Sequence, residues 1–292
     1  WQFLKTCFYC LGYIGCHNNY LYNLHIIVNI DPVAFYIRIP LIGWWHIHLY
    51  GITWLLAIFG ILWYSKKIVT KKNPFKENDV EDFLFYGVLG AIIGGRLGYM
   101  FFYGTNQLLI DPLSIIRVWE GGLSFHGGFL GVLTSFFIFS KKLKINFFDL
   151  ADHIALAFPI GLGLVRIGNF LGGELIGRPT DLPWGMVFWS DSLQLVRHPS
   201  QLYQAFFEGL ILFVILNWLS KKPRPRMFIS GMFLTLYGSF RIFTESFRMP
   251  DAHIGFDFLD IITRGQLLSI PMVLAGLILI FLSRKKKNET VS

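Results

Sequence analysis

Residues 47–72 read IHLYGITWLLAIFGILWYSKKIVTKK. The nineteen residues from Ile47 to Ser65 hold no Asp, Glu, Lys or Arg, and four lysines then follow within seven positions. A bilayer core about 30 Å thick is crossed by roughly 20 mostly apolar helical residues, so this stretch predicts a membrane span ending at a basic, cytoplasmic edge. Six more segments share the pattern: Leu84 to Tyr103, Leu123 to Ser140, Ile154 to Phe170, Leu202 to Leu219, Phe228 to Phe247 and Leu267 to Leu282. Composition agrees. Hydrophobic residues make up 54% and charged residues 15% of 292, with 30 Phe, 12 Tyr and 9 Trp, which excludes an ordinary water-soluble domain and a disordered chain.

The net charge of +8 raises the question of nucleic acid, and the placement of the basic residues answers it. Sixteen of 26 fall in four clusters: Lys66 to Lys76, Lys141 to Lys144, Lys221 to Arg226 and Arg284 to Lys287. No compact basic face with interleaved aromatics results, so no nucleic-acid partner is expected. Each cluster follows an odd-numbered span. All four lie in the cytoplasm only if the N-terminus is outside and the C-terminus inside. The expected fold class is therefore all-α: a polytopic membrane bundle of seven transmembrane helices, N-terminus periplasmic, C-terminus cytoplasmic. A small periplasmic subregion is expected at about 172–200, between spans four and five.

Residues 29–292 read as a single seven-span domain. Residues 1–28 read as an N-terminal extension of uncertain status, without an initiator Met or a secretory pattern. Cys7, Cys10 and Cys16, the only cysteines, lie in it, and with His17 they match no standard zinc spacing. No metal and no cofactor are expected, and a cysteine nucleophile is not expected in the membrane domain.

Ionisable groups inside spans are costly and mark polar interiors. The reading singles out Arg96, Arg166, Arg241 and Glu245, with His126, Asn169, Glu174 and Arg178 at or beyond span ends. At 1.5 Å per residue these fall in the outer half of the membrane, with Tyr50, as a chamber facing the outer leaflet would require. Outside the basic clusters the chain has nine arginines but a single lysine, Lys5. A guanidinium keeps its charge when dehydrated and grips phosphate with a planar fork, so an anionic phosphate group is the expected ligand. Structural pairing of the arginines with Glu120, Glu174 and Glu245 is the competing reading. Arg241, Glu245 and Arg248 are spaced i, i+4, i+7 on one helix stripe, and Arg166 and Asn169 are i, i+3. His126 lies in GGLSFHGGFLG, residues 121–131, where the glycines let a lipid or another helix approach the imidazole, a setting that suits a general base. Gly161, Gly163 and Gly168 do not form a dinucleotide fingerprint and read as helix-packing glycines.

Several runs resemble the bacterial prolipoprotein diacylglyceryl transferases: GLVRIGNFLGGELIGRPTDLPW at 163–184, IDPVAFYI at 30–37, HLYG at 48–51, GGRLGY at 94–99, DPLSIIRVWEGGLSFHGG at 111–128, RHPSQLYQ at 197–204 and YGSFRIFTESFRMPD at 237–251. They are collinear over about residues 30 to 285. Leu49, where the family usually has Trp, and Gly172, where it often has Asn, are the departures. The resemblance implies transfer of an sn-1,2-diacylglyceryl group from phosphatidylglycerol to the lipobox cysteine of a prolipoprotein signal peptide, with release of glycerol 1-phosphate. It implies a location in the bacterial inner membrane with the active site towards the periplasmic leaflet. Carried over by position, His126, Arg166, Arg241, Tyr50 and Asn169 would be catalytic. Arg166, Asn169, Glu174, Gly177, Arg241, Glu245, Arg248, Tyr237 and His198 would bind substrate. A non-enzymatic phospholipid-binding or translocating bundle is the alternative from another class, and an intramembrane protease finds no constellation of its own in the spans.

Overall fold

The computed structural model describes residues 26–39, 43–70, 73–249, 256–258 and 262–289. The cysteines and most of the expected extension lie outside them. Helix dominates: α1 (Leu49–Lys67), α2 (Glu77–Phe102), the short α3 (Thr105–Ile110), α4 (Phe125–Lys142), α5 (Phe147–Leu171), α6 (Ser200–Gln204), α7 (Leu212–Ser220), α8 (Phe228–Glu245) and α9 (Arg264–Glu289). A π-helical segment, Ala205–Ile211, joins α6 to α7.

Among the described residues five helical stretches are long and apolar enough to cross a membrane: Leu49–Lys67, Glu77–Phe102, Phe147–Leu171, Ser200–Ser220 and Gly265–Lys285. They coincide with five of the seven expected spans. The other two form as helices of 18 residues, α4 and α8, but are not among the five. His126, Lys141 and Lys142 lower the hydropathy of α4, and Arg241 and Glu245 that of α8. The chain is a mostly helical membrane protein, with short strands: β1 (Ile26–Val28), β2 (Val33–Ile39), β3 (Gly43–His48), β4 (Met186–Phe188), β5 (Val196–Arg197), β6 (Phe256–Phe258) and β7 (Ile262–Thr263).

The chain forms two compact units. The first comprises Trp1–Leu55, Leu162–Gly209 and Ser239–Ile270, and the second Leu56–Gly161, Leu210–Gly238 and Pro271–Ser292.

In the second unit α2 and α4 pack backbone against backbone. Gly90, Gly94 and Gly98 recur every fourth residue on α2, and Gly127 and Gly131 on α4. A Cβ at Gly94 would lie 2.3 Å from the Gly127 carbonyl oxygen, and one at Gly131 would lie 1.9 Å from that of Gly90. Neither helix tolerates a side chain at this crossing, which is how small residues drive helix association in lipid. The glycines beside His126 therefore admit another helix. Polar groups fasten the same unit elsewhere: the Tyr64 hydroxyl donates to Asn217 at 2.6 Å, and Asn217 donates to the Leu156 carbonyl at 3.1 Å. The Asp152 carboxylate accepts from the Met227 and Ser230 amides at 2.9 and 2.7 Å, capping the start of α8. An apolar cluster of Phe75, Val80, Phe83, Phe139, Leu150 and Ile154 fills the space between.

In the first unit the segment after α5 folds into a small sheet in which β1 pairs parallel with β4 and β4 antiparallel with β5. At its centre Arg197, 2% exposed, makes a two-pronged bond to Asp191 at 2.7 and 3.0 Å. Arg197 holds the Asp191 carboxyl at about 2, below its usual value. The expected subregion at about 172–200 is thus an ordered substructure built round a buried ion pair.

Candidate active site

Three segments of the first unit bring the charged candidates together. Arg166 projects from α5, Arg241 and Glu245 from α8, and between them stands a carboxylate the sequence reading did not single out. Glu208 is fully buried in the π-helical segment. Its Oε2 is 3.3 Å from Arg166 Nη2 and its Oε1 is 3.6 Å from Arg241 Nη1, so one carboxylate spans two guanidiniums. Thr244 adds a hydroxyl donor at 3.1 Å. The other side of Arg241 meets Glu245 at 3.1 Å, and Glu245 meets Arg248 at 3.4 Å. The plus, minus, plus series expected on one helix stripe is joined by ion pairs, but α8 ends at Glu245 and Arg248 reaches it from beyond the helix, where it bridges to Gly177.

Glu208 lies inside the expected fifth span, so the criterion that marked the other intramembrane charges applies to it as well. Its side chain is directed by the π-helix, whose extra residue per turn re-aims one position of an otherwise regular helix; such bulges concentrate at functional sites. The neighbouring approach is close. A Cβ at Gly163 would lie 3.3 Å from the Gly209 Cα and 3.6 Å from the Ala205 carbonyl oxygen, so small residues let α5 and the π-helical segment meet where Arg166 and Glu208 pair.

The next rung along α5 is Asn169, whose amide donates to Glu174 at 3.1 Å. Tyr50, near the start of α1, lies against Gly168: a Cβ there would be 3.3 Å from the Tyr50 ring and 2.1 Å from the Thr53 hydroxyl. Gly161, Gly163 and Gly168 are packing glycines, as the sequence indicates. Gly177 serves the same end in the loop, where a Cβ would fall 2.2 Å from the His198 carbonyl oxygen. It bridges to Arg248, whose carbonyl accepts from Arg178 at 3.0 Å. His198 shares a bond with the Tyr203 hydroxyl at 3.3 Å and rests edge-on against Phe247. Burial lowers the His198 pKa below its ordinary value, which favours the neutral ring at neutral pH. Gly265 completes the wall on the α9 side: a Cβ there would lie 2.8 Å from the Glu245 carboxylate.

Two further candidates belong to the second unit. His126 is an exposed residue in the first turn of α4, in the second unit, and Tyr237, also of the second unit, stacks on Phe233 at 5.7 Å. Arg96 is committed elsewhere. It bonds the carbonyls of Ser114, Ile115, Gly121 and Gly122 and is 3% exposed, so it fastens the segment between α3 and α4. Of the carboxylates named in the competing reading, Glu120 lies 4.0 Å from Arg96 and Glu245 3.1 Å from Arg241.

Among the described residues the ion pairs join three guanidiniums, Arg166, Arg241 and Arg248, to two carboxylates, Glu208 and Glu245, one more cation than anion. The Arg166 and Arg241 side chains retain 15% and 14% exposure, whereas Glu208 retains none, so a ligand meets the cations first. Such an arrangement can hold one anionic phosphodiester in a largely apolar setting.

The fold and the buried ion-pair cluster define a mostly helical membrane protein with charged groups held inside its first unit. The family model described as prolipoprotein diacylglyceryl transferase matches residues 33–282, and the chain belongs to that family. A relative named phosphatidylglycerol–prolipoprotein diacylglyceryl transferase from Pseudomonas syringae pv. syringae is 47% identical over 260 residues, covering 88% of this chain and 94% of the relative. Its namesake in Teredinibacter turnerae is 50% identical over 237 residues, 80% and 82% of the two chains, and that of Acinetobacter baumannii strain SDF is 48% identical over 263 residues, 89% and 94%. The protein is accordingly an enzyme, a transferase of lipoprotein biosynthesis, and the non-enzymatic alternative falls away.

Proposed function

We propose that the protein transfers the sn-1,2-diacylglyceryl group of phosphatidylglycerol to the lipobox cysteine of prolipoprotein signal peptides. The observation that carries this reading is the surplus cationic charge of the Arg166–Glu208–Arg241 bridge. The cysteine thiolate attacks the glycerol carbon that bears the phosphate ester, the carbon–oxygen bond breaks, and glycerol 1-phosphate departs with the electron pair. The new bond is a thioether. Charge therefore grows on the leaving phosphate oxygen, where Arg166 and Arg241 stabilise it, while Glu208 and Glu245 fix the two guanidiniums in place beforehand. Asn169 and Tyr50 bond ester or glycerol oxygens, Glu174 orients its neighbours through the bond it accepts from Asn169, and Gly177, His198, Arg248 and Tyr237 are in support. His126 takes the thiol proton, a modest demand because a free thiol has a pKa near 8.5.

In this reading α4 and α8 complete seven crossings, each about 27 Å long at 1.5 Å per residue. The N-terminus is periplasmic, the lysine clusters are cytoplasmic, and the site faces the periplasmic leaflet of the bacterial inner membrane. The purified protein, incubated with phosphatidylglycerol and a lipobox peptide, is expected to yield a thioether-linked diacylglyceryl peptide. Lipid movement without product, or a cleaved peptide, overturns the reading.

A further inference from the structure

One face of α6 and the π-helical segment buries an unbroken polar stripe: Ser200, Gln201, Gln204 and Glu208 are each 0% exposed. Ser200 donates to the Leu175 carbonyl at 2.9 Å, Gln201 donates to the Glu174 carbonyl at 2.6 Å, and Glu208 holds the two arginines. Gln204 differs. Neither its amide nitrogen nor its amide oxygen has a hydrogen-bond partner among the described residues. Buried amides that go unsatisfied cost stability and are rare, and those that persist tend to serve a function.

Its position says which function. Residues i and i+4 share a helix face, so Gln204 stands between Gln201 and Glu208. Opposite it, α5 and the following turn present Arg166, bonded to Glu208, and then Asn169 and Glu174, the latter bonded through its carbonyl to Gln201. Gln204 is bracketed by the phosphate-holding pair on one side and the Asn169–Glu174 pair on the other.

We infer that Gln204 is a substrate-binding residue that sets headgroup specificity, its carboxamide reading the neutral, hydroxyl-bearing part of the lipid headgroup beside the phosphate; this rests on the function proposed above. A carboxamide offers donors and an acceptor side by side and carries no charge. The vicinal hydroxyls of a glycerol headgroup each donate and accept, so a diol satisfies both ends of the amide. An ethanolamine ammonium only donates and leaves the amide N–H groups unmet. A site built to bond a hydroxyl discriminates strongly against the analogue without one, because its own polar groups are then stranded.

The test compares phosphatidylglycerol with phosphatidylethanol, which lacks both headgroup hydroxyls, using purified full-length protein and a lipobox peptide. In Gln204→Leu the KM for phosphatidylglycerol rises about ten- to a hundredfold, as the loss of two hydrogen bonds requires. The inhibition constant of phosphatidylethanol against phosphatidylglycerol moves less than about threefold, since that lipid has no hydroxyl to lose. Gln204→Met, uncharged and of nearly the same length, carries the test should the leucine variant not fold, with the same divergence between the two lipids expected. If the two lipids weaken together in the variant tested, or neither changes, Gln204 is a packing residue and the inference is wrong. Failure of the wild type to convert phosphatidylglycerol strikes the functional reading itself, so the two failures are told apart.

Discussion

Arg96 and Arg166 are both guanidiniums on long apolar helices, and sequence criteria treat them alike. Their surroundings are opposite. Arg96 is met by four backbone carbonyls, with the Glu120 carboxylate no nearer than 4.0 Å, and is 3% exposed, its donors consumed in fastening residues 114–122. Arg166 is held by one carboxylate through bonds of 3.3 and 3.4 Å and retains 15% exposure. A cation saturated by fixed carbonyls is a structural tie. A cation held loosely by a carboxylate that it shares with a second cation can take another anion. Acceptor type and residual exposure separate the two, and an intramembrane charge by itself does not.

The largest effect that tests this contrast is on turnover. Arg166→Ala or Arg241→Ala is expected to lower transfer by about a thousandfold or more, the loss of about 4 kcal/mol of transition-state stabilisation, while the protein elutes and melts as a folded species. Near-wild-type turnover in either would dissolve the distinction. Arg96→Ala should do the reverse. It strands buried carbonyls and costs about 3 kcal/mol of stability, read as a lower melting temperature, with activity per folded molecule preserved; Arg96→Lys does not restore it, because a point charge cannot reach several separated carbonyls. His126→Gln is expected to lower turnover about a hundredfold, the ordinary worth of a general base. If arginines alone activate the thiol, most activity survives in that variant.

The buried pair in the small sheet gives a pH-dependent effect. Asp191 sits at about 2 when folded, below its usual value of 3.8. A depressed carboxyl contributes stability that is fully present above about pH 4 and is lost as pH falls through the folded value. The pair is therefore worth of the order of 2 kcal/mol at neutral pH, fading between about pH 4 and pH 2. Tryptophan fluorescence during acid unfolding reads this, and Asp191→Asn should remove the dependence. The smallest effect sharpens the comparison most. Glu208→Gln raises the cluster's net charge from one to two and frees the guanidiniums from their common anchor. A decrease in kcat of about tenfold together with a lower KM for phosphatidylglycerol is expected, because binding gains where alignment is lost. Steady-state kinetics with varied lipid distinguishes this from a uniform loss.

Much of the molecule is legible in the chain itself. Apolar length and lysine placement mark the spans, because a helix must satisfy its own backbone in lipid and lysines collect on one side. Five spans stand on that ground alone, whereas α4 and α8 carry the charges that give them a purpose and so fall short in apolarity. The Arg241–Glu245 pair is also readable, since helical spacing fixes which residues share a face, whereas Arg248 reaches Glu245 from beyond the end of α8. Glu208 was within reach by the same criterion and passed over. Three things were decided by tertiary structure only. One is that Glu208 bridges arginines from two different segments, which depends on a π-helical turn and on the close approach at Gly163. Another is that Arg96 spends its donors on carbonyls. The last is that Gln204 is left without a hydrogen-bond partner among the described residues. Each depends on which acceptors packing brings within about 3 Å, and hydrogen bonds act only at that range, so no periodicity along the chain can encode it.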